Sequence, residues 1–364
     1  MGNRSLNGAK KAKQDEFYTC LTDIEREIVS YLDYNKNVFR GKTVLLPCDD
    51  PIASNFTQYF ALRFKGLGLK KLITTSYAPI YRRGENYVPA QEIVKNSHYD
   101  KDKELTHGKV FVLDGRDVNS DGIVNIKDVT WDYLDGDGDF RSEEVTVLRD
   151  EADMVITNPP FSLFREFVTW LGEGEVDFSI IGNINAITYR EVFPLIKENK
   201  AWIGASGMRS MTYEVPDVGE LSRSQYRRGD KRFQKLGNTC WYGNIEHSVR
   251  HEPLELLSME DNKRFNSRVA NNANSYKKYD NCDAIEVPVT SGIPSDYDGV
   301  MGVPISFMDK YCPEQFEIVG AENAPIVDGK RIYKRVLIRH LPSEVHEVET
   351  LPTLPPQKAE MAVG

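Results

Sequence analysis

Apolar and polar residues follow one another in an order that predicts alternating strands and helices through the first half of the chain. Apolar residues at helical spacing, such as Phe164, Phe167, Val168 and Leu171, predict an amphipathic helix. Between such segments lie short apolar, β-branched runs that predict buried strands, at 43–47, 71–75, 109–113, 153–157 and 178–182. This alternation is typical of an α/β fold with a doubly wound, mostly parallel sheet.

The pattern divides the chain into five segments. Residues 1–13 are polar and basic and are expected to be disordered, whereas 14–204 carries the strand–helix alternation of one α/β domain. The alternation breaks in 205–282, which is rich in Ser, Asn, Arg and Tyr and predicts an insertion or a small second domain. Weaker strand patterns resume in 283–349 and are expected to complete the fold, and the Pro-rich tail at 350–364 is expected to be mobile.

The segment 153–161 combines a buried strand with a chemically distinctive turn. Two consecutive prolines end the strand because they cannot donate to a ladder, so Asn158 lies at the carboxyl end, where α/β sheets bind ligands. The Asn158 side-chain carbonyl and a carbonyl next to a proline can both accept from one amino group, and Phe161 can stack on a flat ring. A planar ring with an exocyclic amine, such as adenine, fits this description. Asn-Pro-Pro is also compatible with an ordinary turn.

Composition narrows the class of protein. With 364 residues and 40% hydrophobic residues the chain can form a sizeable core. It contains no apolar run of 18 residues or more, and 1–13 lacks the apolar segment of a secretory signal, so a cytoplasmic, non-membrane protein is expected. The five cysteines are widely spaced without a CxxC pair, which favours neither a zinc site nor a disulfide framework.

Charge is unevenly distributed along the chain. The formal net charge of −9 argues mildly against a nucleic-acid partner, but the acidic residues concentrate in 114–153 and basic residues cluster downstream. Each cluster alone is compatible with solvated surface. Three of them downstream of a candidate base pocket favour nucleic acid: Arg223, Arg227, Arg228, Lys231, Arg232 and Lys235, interleaved with Tyr226 and Phe233; Lys263, Arg264, Arg268, Lys277 and Lys278; and Lys330, Arg331, Lys334, Arg335 and Arg339.

Two acidic loops are further candidates for ligand binding. Cys48-Asp49-Asp50-Pro51 follows the first predicted strand, where a carboxylate could bind the amino group of an amino acid or a ribose hydroxyl, or could cap the next helix. In 136–140 an aspartate could accept from an adenine amine and the aromatic residue beside it could stack on the ring, although a plain turn is the alternative.

A third acidic segment, 117–128, matches the calcium-binding loop pattern. Oxygen-bearing side chains occupy positions 1, 3, 5, 9 and 12, and Gly122 occupies position 6. The pattern resembles the dockerin-type loop and predicts weak, structural calcium affinity, with an acidic surface turn as the alternative. The expected ligands are Asp117, Asn119, Asp121, Asn125 and Asp128.

Taken together, the chain resembles the EcoRI-type adenine-specific DNA methyltransferases. The matching stretches run in order through about 15–310, and their combination is specific, although NPPF alone is not, because protein-glutamine and rRNA-guanine methyltransferases also carry NPP-type loops. They are DEFYT (15–19), CDDP (48–51), SNF (54–56), LGLKKLI (67–73), GDGDFRS (136–142), TNPPFSLF (157–164), ITYREVF (187–193), LIKENK (195–200) and YDGVMGVPISF (297–307).

The resemblance implies a Rossmann-like methyltransferase fold that uses S-adenosylmethionine. One departure is that an acidic ribose ligand often follows the second strand in such folds, where this chain has Thr74-Thr75-Ser76. The implied residues are Phe17, Tyr18 and Thr19 for an N-terminal cofactor motif; Asp49, Asp50 and Pro51 for the methionine part of the cofactor; Asp139 and Phe140 for its adenine; and Asn158, Pro159, Pro160 and Phe161 for catalysis.

The implied activity is site-specific methylation of adenine N6 in double-stranded DNA, with the target base flipped out of the helix. Residues 14–204 would then form the cofactor-binding and catalytic domain and 205–282 the target-recognition region, with a monomer expected. A cognate restriction endonuclease would be a genetic rather than a physical partner. RNA or protein-glutamine methylation, or a catalytically silent DNA-binding relative, are the alternatives. The expected DNA-binding residues are Arg223, Arg227, Arg228, Lys231 and Arg232.

Overall fold

The computed structural model describes residues 18–49, 54–78, 94, 97–215 and 220–342, and the structural statements below concern these residues. The helices are α1 (Leu21–Tyr34), α2 (Asn55–Leu62), α3 (Phe64–Leu67), α4 (Glu143–Glu151), α5 (Phe164–Glu173), α6 (Phe193–Lys197), α7 (Met259–Phe265) and α8 (Ser267–Ala270). The strands are β1 (Tyr18–Thr19), β2 (Thr43–Leu46), β3 (Lys71–Ser76), β4 (Lys109–Leu113), β5 (Thr130–Tyr133), β6 (Met154–Thr157), β7 (Asp177–Asn183), β8 (Trp202–Ile203), β9 (Met211–Val215), β10 (Gln225–Arg228), β11 (Lys231–Leu236), β12 (Thr239–Gly243), β13 (Ile285–Glu286), β14 (Met301–Val303), β15 (Phe316–Glu322), β16 (Ile326–Val327), β17 (Lys330–Arg331) and β18 (Arg335–His340).

A mixed eight-stranded sheet forms the centre of the molecule, in the order β5-β4-β3-β2-β6-β7-β12-β8. The α/β class is confirmed, but parallel pairing is confined to β3, β2, β6 and β7. The strands on either side run antiparallel, so the expected mostly parallel sheet is corrected to a mixed one. Hydrophobic periodicity identifies a buried strand but not its direction, and antiparallel edge strands on a parallel centre are common.

Both faces of the central sheet are buried, because successive side chains along each strand point to opposite faces. Val44 and Leu46 of β2 join one core with helices α1, α2 and α3, whereas Leu45 joins a second core with α4, α5 and α6. Of the helices, α5 fits its predicted pattern most closely, since Phe164, Phe167, Val168 and Leu171 are all buried.

A smaller sheet packs against each face of the central sheet. The antiparallel sheet β1-β9-β11-β10 contributes Met211, Tyr213 and Leu236 to the core of α1 to α3. The sheet β13-β14-β18-β15 contributes residues such as Val303 and Ile338 to the core of α4 to α6. We refer to the core of α1 to α3 as the first face and to the core of α4 to α6 as the second face.

The described strands downstream of residue 204 are distributed over all four sheets. Within 205–282, β12 lies inside the central sheet between β7 and β8, whereas β9, β10 and β11 belong to the sheet on the first face. The described strands after residue 283 form the sheet β13-β14-β18-β15 on the second face and a separate two-stranded sheet of β16 and β17. None of the described helices is both long and apolar enough to cross a membrane.

Candidate active site

The two central parallel strands β2 and β6 end side by side. Their register pairs Val44 with Met154 and Leu45 with Val155, so the residues that follow both strands emerge at the same edge of the sheet. Asp49 follows β2 and Asn158 follows β6. The structure therefore brings together two loops that are more than 100 residues apart in the sequence.

A buried hydroxyl joins these two loops. Thr157, the last residue of β6, is fully buried, and its Oγ1 lies 2.6 Å from Asp49 Oδ2 and 2.8 Å from the carbonyl of Pro47. Ser54 Oγ donates to Asp49 Oδ1 at 2.7 Å and also accepts from Phe56 N at the start of α2. The Asp49 carboxylate, only 7% exposed, is thus held by hydroxyl groups from both sides.

The candidate catalytic segment, 158–161, directly follows Thr157 and its contact with Asp49; we call this contact the joint between the two loops. Asn158 is half-buried with its Oδ1 shielded from solvent, and Pro159 is buried. The carbonyl of Pro160 accepts from Leu163 N at 2.9 Å, which closes a tight turn before α5. Phe161 is half-buried and packs against the core of the first face. This hydrogen bond fixes the turn that connects the segment to α5.

The short strand β1 lies close to the beginning of α2. The side chain of Asn55 donates to the carbonyl of Thr19 at 2.8 Å, and Tyr18 pairs with Glu214 of β9. Since α2 follows the Asp49 loop, Tyr18 and Thr19 lie beside the carboxyl edge of β2, as a role in cofactor binding requires. The other predicted members of these two motifs, Phe17, Asp50 and Pro51, lie outside the described residues.

The acidic loop at 136–139 packs against the carboxyl end of β3. Gly138 has φ +82°, and a Cβ there would lie 2.4 Å from the carbonyl oxygen of Ser76, so only glycine allows this approach. Ala78 N donates to the carbonyl of Asp137 at 2.8 Å. This contact places Asp139 at the same edge of the sheet as Asp49 and Asn158.

Asp139 is an ionised acceptor in this position. Burial acts to raise the pKa of its carboxyl group, but hydrogen bonds and the charge of Arg141 outweigh burial and lower the pKa below its usual value. Arg141 binds both carboxylate oxygens, with Nη2 at 2.6 Å from Oδ2 and Nε at 2.9 Å from Oδ1. A partly exposed carboxylate held in one orientation suits binding of an amino group.

Phe140 has a different environment from the one expected. Its ring is fully buried and makes edge-to-face contacts with Phe167 and Trp170, with centroid distances of 4.8 and 5.5 Å. The side chain is therefore part of the core of the second face and leaves no surface on which a ligand ring could stack. The Asp-Phe pattern does not distinguish the two cases, because an aromatic after a turn is equally suited to core packing.

Tyr77 lies at the same edge of the sheet, and the motifs in the sequence assigned no role to it. It directly follows β3 and is half-buried; burial, together with nearby Cys48 and Asp139, raises the pKa of its hydroxyl far above the ordinary value. The phenol is therefore a neutral hydrogen-bonding group. It lies at the end of β3, where related folds often carry an acidic ribose ligand. Thr74, Thr75 and Ser76 instead belong to β3 and are buried. In the sequence, only its position immediately after a predicted strand indicates that Tyr77 lies at this edge.

The predicted DNA-binding residues lie on and just before the hairpin formed by β10 and β11. Arg223, Arg227, Arg228 and Lys231 are exposed, and Lys231 Nζ lies 2.9 Å from Glu214 Oε2. We call β10, β11 and their turn the recognition hairpin. Its rings stack in a pair, since Tyr226 and Phe233 have centroids 5.7 Å apart.

Arg232 differs from the other four predicted DNA-binding residues. Its side chain is only 3% exposed, and Nη2 donates to Gln225 Oε1 and to the carbonyl of Glu220 at 2.5 Å each. It therefore braces the hairpin from within. Alternating side-chain directions along β11 explain the difference, because the neighbouring Lys231 points outward.

The predicted calcium loop is not supported by the structure. Asp128 is 2% exposed, and its oxygens accept the backbone N–H groups of Val118, Asn119 and Asn125. Asp117 likewise accepts from the backbone of the same loop. These hydrogen bonds lower the pKa of Asp128, with the bond from Asn125 contributing most. Across the described part of the chain, no group of three His, Cys, Asp or Glu residues could hold a metal ion.

A comparison with known protein families identifies the class of protein to which this chain belongs. Residues 5–351 match the family described as "Adenine-specific methyltransferase EcoRI", and the chain belongs to this family. The match covers both faces of the sheet and all the loops at its carboxyl edge.

Three relatives of known designation are similar over nearly their whole length. The chain is 41% identical over 346 residues to the Type II methyltransferase M.EcoRI of Escherichia coli, covering 93% of this chain and 97% of the relative. It is 33% identical over 359 residues to M.MpnI of Mycoplasma pneumoniae, covering 92% and 97%. It is 31% identical over 359 residues to M.MgeORF184P of Mycoplasma genitalium, covering 92% and 98%. No solved structure matches the chain significantly.

Proposed function

We propose that this chain is a site-specific DNA adenine methyltransferase that transfers the methyl group of S-adenosylmethionine to N6 of a flipped adenine. The observation that carries the proposal is the joint between the two loops, in which Thr157 links Asp49 to the Asn158 segment. Family membership supplies the reaction class. Type II methyltransferase is the designation of the three relatives, and it supports DNA as the substrate.

The residues at the sheet edge fit S-adenosylmethionine. This cofactor carries a positively charged sulfonium, an ammonium group and the amine of its adenine, all of which require acceptors. Asp49 and Asp139 supply carboxylates at this edge, and Asp139 is kept ionised. Tyr18 and Thr19 lie beside the same edge, and Tyr77 adds a neutral hydroxyl. When bound, the cofactor supplies a strongly electrophilic methyl group.

The role of the Asn158 segment follows from its acceptors. Asn158 Oδ1 and the Pro159 carbonyl hold the N6 amino group of the flipped adenine and orient its lone pair toward the methyl group. Phe161 stacks on the face of the base. Because the electrophile is already strong, in-line placement is the main requirement. The amine loses its proton after it becomes cationic, so this step requires no strong base.

DNA is bound through phosphates by the exposed cations Arg223, Arg227, Arg228 and Lys231, with Arg232 fixing the hairpin from within. Removal of the target base from the duplex costs a few kcal/mol, which these contacts help to offset. We further propose that target recognition resides in the parts of 205–282 outside β12, because β12 belongs to the central sheet.

We also propose that the protein acts as a cytoplasmic monomer. Methylation of one strand at a time needs one active site, and a cognate restriction endonuclease would be a genetic partner only. A molar mass by light scattering of about twice the monomer value, with and without DNA, would contradict the monomer.

The function is tested by transfer of labelled methyl groups from S-adenosylmethionine to DNA, RNA or protein, followed by mapping of the modified group. Label at adenine N6 in DNA is the expected result, and label only in RNA or protein would overturn the proposal.

Asn158→Ala is expected to lower turnover by about a hundredfold or more, the scale of a mispositioned reactant, while cofactor affinity changes little. Asn37→Ala, an exposed asparagine at the opposite edge of the sheet, is the control. Equal losses of turnover and cofactor affinity in Asn158→Ala would contradict the catalytic assignment.

A further inference from the structure

The basic cluster near the C-terminal end of the described chain separates into two groups. Arg335 binds Glu286 through Nε and Nη2, and Arg339 Nη2 lies 2.7 Å from Glu317 Oε2, so both serve internal ion pairs. The remaining cations, Lys330, Arg331 and Lys334, are exposed. Within the described part of the chain none of these three forms an ion pair with a carboxylate.

These three cations lie on a segment that is held firmly in place. We call residues 326–334, which contain the hairpin of β16 and β17, the C-terminal arm. Asp280 N donates to the carbonyl of Ile326 at 2.8 Å, and Ile326 N donates to Asn281 Oδ1 at 3.0 Å. At the hairpin turn Gly329 N donates to Asp280 Oδ2 at 2.8 Å. The positions of the cations are therefore set by the fold.

The end of the C-terminal arm reaches the edge that carries the active site. Lys334 Nζ donates to Thr188 Oγ1 at 3.1 Å. Thr188 ends the short helical turn Ile184–Thr188, which directly follows β7. Because β7 is parallel to β6 and pairs with it, this turn emerges at the same edge as Asn158.

The C-terminal arm and the recognition hairpin lie on opposite faces of the central sheet. The recognition hairpin belongs to the sheet on the first face, and the arm is joined through β18 to the sheet on the second face. Packed layers lie about 10 Å apart, so the layers on the two faces, with the central sheet between them, are about 20 Å apart. The acceptors of Asn158 lie at the edge between them.

The arm also carries an aromatic side chain of a kind that nucleic-acid surfaces use. Tyr333 is 88% exposed, the highest exposure among the large hydrophobic side chains of the described residues. Lys334 follows it directly in the sequence, and Arg331 lies two residues before it. Exposed aromatic and cationic residues together are suited to sugar, base and phosphate contacts.

We propose that the C-terminal arm is a second DNA-binding surface, which contacts the duplex on the side opposite to the recognition hairpin through Lys330, Arg331, Tyr333 and Lys334. The proposal rests on the function proposed above, because it assumes that DNA enters at the edge of the sheet. Phosphate contacts on both sides of the target would hold the duplex while one base leaves the stack.

The test compares a triple variant, Lys330→Ala, Arg331→Ala and Lys334→Ala, with the unmodified full chain in DNA binding at several salt concentrations. If each cation neutralises one phosphate, the slope of log affinity against log salt falls by about 2.7, which corresponds to roughly a hundredfold weaker binding at 0.15 M salt. The apparent KM for DNA is expected to rise, whereas turnover at saturating DNA and affinity for S-adenosylmethionine remain within about threefold.

A matched control removes the same charge from the opposite edge of the sheet. Lys36, Arg40 and Lys70 are exposed near the amino ends of β2 and β3, and their triple alanine variant is expected to keep the salt slope of the unmodified chain. Equal slopes in the arm variant and the unmodified chain, or equal losses in arm and control variants, would overturn the proposal. If the unmodified chain transfers no methyl group to DNA, the proposed function itself fails, and this result is separate from the comparison of slopes.

Discussion

The joint between Thr157 and Asp49 leads to a prediction about cofactor binding. Thr157→Val keeps the shape of the buried side chain but removes the hydroxyl that lies 2.6 Å from Asp49 Oδ2. Asp49 then retains Ser54 as its hydroxyl donor. A hydrogen bond to a charged group contributes about 1.5–3 kcal/mol to stability. A buried acceptor that loses its donor is no longer compensated for its desolvation.

If Asp49 must keep its orientation to bind the cofactor, this loss converts to roughly a 10- to 150-fold weaker affinity for S-adenosylmethionine. Isothermal titration calorimetry with the cofactor, and with its demethylated product, measures the change directly. Turnover at saturating cofactor should fall less than affinity, because the acceptors of Asn158 remain in place.

Thr157→Ser is the matched control for this prediction. It keeps the hydroxyl and removes one buried methyl group, which costs about 1 kcal/mol of stability but leaves the bond to Asp49 available. We expect its cofactor affinity to stay within about threefold of the unmodified chain. Equal affinity in the valine and serine variants would refute the reasoning, since the hydroxyl would then have no role in holding the carboxylate.

Further predictions concern the loops and the core. Gly138→Ala should reduce both stability and cofactor affinity in thermal and calorimetric assays, because the positive φ alone costs about 1–3 kcal/mol and the new methyl would meet the backbone of β3, whereas Gly66→Ala meets no atom within 4 Å and serves as the control. Arg335→Met should cost about 3–5 kcal/mol in urea unfolding because Glu286, 2% exposed, loses its cationic partner and keeps only the hydroxyl of Tyr279, and replacing both Arg335 and Glu286 by Met should restore most of the loss. Burial lowers the pKa of His247 against the opposing charge of a nearby glutamate, so its contribution to stability is present above the unfolded value of about 6.5 and is lost as pH falls through the lowered folded value. His247→Gln should therefore reduce the pH dependence of unfolding below pH 6.5, and an unchanged dependence would contradict this assignment.

Local patterns in the sequence were sufficient to predict the parallel centre of the sheet and the position of the Asn158 segment. The strand before Asn158 is apolar and β-branched, and the two prolines end it, so both the strand and its end can be predicted from residue types alone. The helix predicted after it is confirmed as α5. It could be predicted because apolar residues occupy every position of one helical face. The direction of the outer strands could not be predicted, because it depends on pairing between residues far apart in the chain.

The side-chain environments at the site were the least predictable part. Phe140 and Arg232 are aromatic and cationic residues in motifs that favour ligand contact, yet both are buried and contribute to packing. Tyr77, in contrast, directly follows Thr74-Thr75-Ser76, where the resemblance predicts an acidic residue that this chain lacks, and no motif includes Tyr77 itself. Whether such a residue faces a ligand or the core depends on which neighbours pack against it, and one sequence does not contain that information.

The turn that leads into the sheet of the recognition hairpin is held by carboxylates from distant parts of the described chain. Glu27 of α1 is fully buried and accepts Ala205 N and Ser206 N at 2.8 Å each, while Asp309 Oδ1 accepts Met208 N at 2.7 Å. These three amides belong to the turn between β8 and β9, which leads into the sheet of the recognition hairpin. Charge-assisted hydrogen bonds in a low-dielectric interior are strong and directional. Residues from the N-terminal and C-terminal parts of the described chain therefore help to set the position of this sheet, so the proposed DNA-binding surface depends on residues outside 205–282.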